Sequence, residues 1–110
     1  MNDYKLIKTI FKDFEIPVEY IRYKGKERTY ITYTFIDDNP SLFAEDKELG
    51  SIVSIDIDIY SENNYLEIQE KVEDIMEENN FIRTGCSPDL YEEETGLYHK
   101  TIEFAKERMR

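Results

Sequence analysis

The stretch Val53-Ser54-Ile55-Asp56-Ile57-Asp58-Ile59-Tyr60 decides how this chain folds. Four β-branched apolar residues alternate with a serine, two aspartates and a tyrosine. That two-residue period puts the aliphatic side chains on one face of a strand and the carboxylates on the other. A strand of this kind belongs to a sheet with one buried face, the habit of antiparallel sheets.

Working outward, Tyr65, Ile68, Val72, Ile75 and Met76 recur at three- and four-residue steps through a charged segment, which predicts a helix that follows the strand. Ser61-Glu62-Asn63-Asn64 supplies candidate N-caps, and Asn79-Asn80 is suited to ending it. Upstream, Leu6, Ile7, Ile10, Phe11 and Phe14 predict an amphipathic helix from Asp3 to Glu15, closed by Pro17. Between Val18 and Ile36, β-branched and aromatic residues interrupted by Lys24-Gly25-Lys26 predict a β-hairpin. Asp37-Asp38-Asn39-Pro40-Ser41 is expected to be a turn, and Leu42 to Gly50 a loop. Phe81 to Arg110 reads as two strands around Glu94-Thr95-Gly96, with Tyr98, Ile102 and Phe104 on the apolar side of the second. The order α-β-β-β-α-β-β implies an α+β fold, a mainly antiparallel sheet with two helices packed on one face.

At 110 residues the chain suits one domain, 1–110. With 40% hydrophobic and 35% charged residues, it is too apolar for a disordered acidic tail, and it has no apolar run that suggests a membrane span. Fourteen basic against twenty-five acidic residues give a net charge of −11, which opposes general nucleic-acid binding. The acidity is uneven: residues 1–55 carry eight basic and ten acidic groups (−2), and residues 56–110 carry six and fifteen (−9). A single cysteine, Cys86, and a polar N-terminus predict a reducing, intracellular setting. Asn39-Pro40-Ser41 is excluded as a glycosylation acceptor by its proline.

No residue pattern announces catalysis or a cofactor. His99 has no serine or cysteine nucleophile motif near it, and Cys86, in a turn-like Gly85-Cys86-Ser87-Pro88, lacks a second cysteine for a metal pair. Asp56 and Asp58 share a strand face, as carboxylates of some metal-dependent transferases do, but the flanking residues fit no calcium or phosphate loop. A solvated acidic strand face explains them as well. Arg22, Lys24, Lys26 and Arg28 would gather at the tip of the predicted hairpin, either as a charged edge or as a contact arm for an acidic surface. That surface is either the predicted second helix of a neighbouring copy, with Glu70, Glu73 and Glu77 among its carboxylates, or another protein. Nine tyrosines without tryptophan suit half-buried surfaces and protein–protein contacts.

Ser54-Ile55-Asp56-Ile57-Asp58-Ile59-Tyr60-Ser61, Asn64-Tyr65-Leu66, Phe81-Ile82-Arg83-Thr84, Asp89-Leu90-Tyr91-Glu92 and Thr95-Gly96-Leu97-Tyr98-His99-Lys100 together resemble the tail terminator, or tail-completion (head–tail joining), proteins of long-tailed bacteriophages and phage-like tail elements. The likeness covers residues 52–105 best. It implies a structural, non-enzymatic subunit of the virion tail, assembled in the bacterial cytoplasm without cofactor, metal or membrane. Such subunits form a homo-oligomeric, hexameric ring that caps the tail tube protein, ends its polymerisation and meets the head connector or stopper protein. A ring requires two complementary patches per subunit, for which the basic segment and the acidic helix are candidates. Six copies at −11 each would bring −66 to the annulus, so genomic DNA would pass the lumen without specific binding. Two other readings fit the composition: a small acidic inhibitor or DNA mimic, and a minimal metal-dependent enzyme using Asp56, Asp58 and His99.

Overall fold

The computed structural model describes residues 3–44 and 47–109. Helix α1 (Asp3–Ile10) is followed by strands β1 (Val18–Tyr20), β2 (Tyr30–Ala44) and β3 (Lys47–Ser61), helix α2 (Leu66–Glu78), and strands β4 (Ile82–Cys86), β5 (Leu90–Glu92) and β6 (Leu97–Met109). One sheet runs in the order β1-β2-β3-β6-β4, with β5 hydrogen-bonded to β6. All pairings are antiparallel except β1 with β2. The fold is α+β.

Register makes the alternation collective. Tyr33, Ile57 and Ile102 lie side by side across β2, β3 and β6, and Phe35, Ile55 and Phe104 form the next row. Onto this apolar face both helices pack, α1 through Ile7, with Phe11 just past its end, and α2 through Val72 and Met76, in one core with Ile31, Ile59 and Phe81. Above that core, β2, β3 and β6 continue as a ribbon past the strands beside them: β1 covers only Ile31–Tyr33 of β2, and β4 reaches only Ala105 of β6. The molecule is accordingly long, 53 × 27 × 23 Å.

Four expectations are corrected. The first helix stops at Ile10, with Phe11 to Phe14 in turns, because Phe14 folds back edge-on against Phe11 (5.4 Å between centroids) and closes the end well before Pro17. Val18 to Ile36 is no hairpin: β1 and β2 are parallel, with Val18 beside Ile31, and residues 21–29 form a return loop. That loop is held by its own contacts. The Tyr23 hydroxyl accepts the Glu27 N–H, and a Cβ at Gly25 would overlap the Tyr23 phenol, so a larger residue there would displace that ring. Asp37 to Ser41 and Leu42 to Ala44 belong to β2, and Lys47 to Gly50 to β3. Register shifts between Phe35 and Asp37 and around Leu42 absorb the turn-forming residues. At that height β2 is an edge strand, where Pro40 is tolerated. Finally, the C-terminal part has three strands, because Tyr91 pairs with Tyr98 across a turn where Gly96 takes φ +73°. The order becomes α-β-β-β-α-β-β-β, and Cys86 sits exposed at the end of β4.

The second helix ends as its sequence implies, with Asn80 left-handed at φ 69°. Its N-terminus uses Asn64, whose Oδ1 accepts the Leu66 N–H at 2.9 Å. Ile21 is also left-handed (φ 67°) while 56% exposed, so a β-branched residue bears backbone strain with little packing in return. Ile21→Gly is expected to raise unfolding free energy by about 1 kcal/mol in urea titration. A loss of stability would show that the side chain matters more than its backbone angle.

Candidate functional site

The sheet face opposite the helices carries the polar half of every alternating strand. Its most regular feature is a row of stacked rings: Tyr23 on Tyr30 at 4.7 Å, Tyr30 on Tyr60 at 4.8 Å and Tyr60 on His99 at 4.2 Å, all within 29° of parallel. Tyr30, Tyr60 and His99 are direct neighbours in register on β2, β3 and β6, and Tyr23 extends the row from the return loop. Burial first, then Asp58, Tyr30 and Glu92, push the Tyr60 phenol up to about 12, which keeps it neutral.

Beside the rings lies the row Thr32, Asp58 and Thr101. Asp58 Oδ1 accepts the Thr101 hydroxyl at 2.5 Å and stands 3.0 Å from His99 Nε2. His99 Nδ1 is 3.8 Å from Glu92. The first two contacts share one carboxylate oxygen, so Asp58 orders both neighbours, and the Thr101 hydroxyl also stands 3.4 Å from His99 Nε2. The third row is Thr34, Asp56 and Glu103. Burial, followed by Asp58 and Glu103, raises the Asp56 carboxyl above its ordinary value. Thr84 donates to Glu103 at 2.7 Å, and among the described residues neither Asp56 nor Glu103 has a salt-bridge partner. Asp56 and Asp58 share a strand face, as their spacing predicts. Among the described residues no group of three or more histidine, cysteine or acidic side chains is arranged to hold a metal ion.

The basic segment is the return loop. Arg22, Lys24 and Lys26 are exposed, and none has a carboxylate partner among the described residues. Arg28 is committed internally, to Glu62 at 3.3 Å and the Thr95 carbonyl at 2.6 Å. On α2, Glu70 and Glu77 are exposed, whereas Glu73 is engaged by Gln69 at 2.9 Å and Arg83 at 3.1 Å. The loop adjoins the β1–β2 edge; α2 contacts β4, the strand at the opposite edge. Sequence reasoning missed the ring row and Glu103, since they become neighbours only through the β2–β3 and β3–β6 registers and the fold of the return loop. No family model and no curated protein matches the chain.

Proposed function

We propose that this chain is a structural subunit that joins copies of itself head to tail into a closed ring, in the manner of a phage tail terminator, and that it acts without catalysis. The observation that carries the proposal is electrostatic. Among the described residues, cations without a carboxylate partner cluster in the return loop at the β1–β2 edge, and carboxylates without a cationic partner lie on the inner strands β3 and β6 and on α2, which contacts the β4 edge. Complementary patches on opposite edges of one subunit are what a heterologous, ring-closing contact needs. The basic pole also weighs against the alternative of an acidic inhibitor or DNA mimic, which would present carboxylates alone. The ribbon of β2, β3 and β6 is a projection suited to meeting a tube or connector subunit, and the resemblance over residues 52–105 supplies the specific role.

Sedimentation tests the assembly. The parent chain is expected to form a discrete ring at low salt, and Lys24→Glu with Lys26→Glu to weaken it by at least tenfold, an effect that fades as salt shortens the screening length. Assembly indifferent to both reversal and salt would remove the electrostatic basis. Tails built in the absence of the protein should show overlong tubes in electron micrographs; tubes of normal length would dismiss the terminator role.

A further inference from the structure

Resting on that head-to-tail reading, we propose that the basic loop of one copy docks on the open sheet face of the next, against Asp56 and Glu103, and not on the outer surface of α2. Geometry separates these two receivers. Tyr23 stacks on Tyr30, so the loop carrying Arg22, Lys24 and Lys26 lies on the open-face side of its edge, whereas α2 covers the other face. A rotation that joins opposite edges of one sheet, about an axis along the strands or normal to the sheet, carries each face onto the same face of the neighbour. The loop therefore meets carboxylates that share its side.

Charge suits the same receiver. Asp56 and Glu103 face each other in register, and no cation pairs with either among the described residues. Burial first, then the Asp58 and Glu103 carboxylates, raise the Asp56 carboxyl above its ordinary value. A docked lysine opposes that rise. On α2, Arg83 already meets Glu73, while Glu70 and Glu77 are exposed with no cationic partner among the described residues, so it is the face that Asp56 and Glu103 share with the loop, and not charge alone, that favours them. The ring row, on the same face beyond the Thr32–Asp58–Thr101 row, is a wall of polar-tipped side chains, the amphipathic surface that protein contacts favour.

A double-mutant cycle on ring assembly, read by sedimentation at low salt, tests the assignment. The loop is neutralised by Lys24→Gln with Lys26→Gln, the open face by Asp56→Asn with Glu103→Gln, and the helix by Glu70→Gln with Glu77→Gln. Each of the first two is expected to weaken assembly about tenfold, and the two combined little more than either alone, since the second change removes a contact already lost. Loop and helix changes should instead multiply. Because the face substitutions are near-isosteric, circular dichroism should stay unchanged; if Asp56→Asn perturbs it, the cycle runs with Glu103→Gln alone. Coupling of the loop to the helix, or to neither surface, would overturn the docking assignment while leaving the ring intact. A parent chain that never oligomerises, alone or with tail tubes, would remove the ring and the docking together.

Discussion

Ile57→Ala is expected to cost about 4 kcal/mol of folding free energy, read as a lowered midpoint in urea or guanidinium unfolding. Ile57 has 0% exposure, stands at the centre of β3, and is flanked in register by Tyr33 and Ile102, both also at 0%. Truncation there removes three methyl-sized groups from between two strands and the helices above, and the rigid sheet collapses only partly into the space. For a domain of this size the melting temperature should fall on the order of 15–25 °C. The same substitution at Ile52, on the opposite parity and 42% exposed, should cost well under about 1 kcal/mol. Equal losses at the two positions would contradict the assignment of faces.

The second large effect concerns Lys100, a buried lysine on the apolar side of β6. Lys100 is only 9% exposed, pairs with Ile59 in register, and sends its ammonium to Asp89 at 3.2 Å. Asp89 also accepts the hydroxyl of Tyr65, a residue just 7% exposed. Asp89→Ala therefore strands a desolvated charge and a phenol together. Because the Asp89 side chain is itself 78% exposed, water partly replaces what is lost, and the expected cost is about 2 kcal/mol instead of the larger figure for fully enclosed pairs. Adding Lys100→Met should restore most of it, since an apolar side chain of similar length needs no counter-charge. If Asp89→Ala alone proved neutral, the contact would hold nothing in place.

What could be read beforehand follows from how far apart the deciding residues lie in the chain. The alternation of Val53 to Tyr60 and the helical spacing of Tyr65 to Met76 are local, and both elements formed where their periods indicated. The direction of β1 was not legible. Val18 and Tyr20 suit a parallel or an antiparallel neighbour equally, and the choice rests on Tyr23 folding over Gly25 and on Arg28 reaching residues 62 and 95. Likewise Asp37 to Ser41 has the composition of a turn, yet ladder pairing with β3 draws it into an edge strand with bulges. The candidate site divides in the same way. The basic segment and the aspartate pair are visible as composition, whereas the stacked rings require Tyr23, Tyr30, Tyr60 and His99 to be brought together from four separate segments.

The strand order has a consequence for how the molecule comes into being. β6, the last of the described strands in sequence, lies between β3 and β4, which share no hydrogen bonds of their own. Until residues 97–107 have been synthesised and have slid into that gap, the β2–β3 hairpin and the α2–β4 unit are two halves with unsatisfied inner borders. Insertion of the central strand is thus the step that commits the nascent polypeptide, and a ribosome paused before it would expose two sticky margins to any chaperone or neighbouring chain in reach.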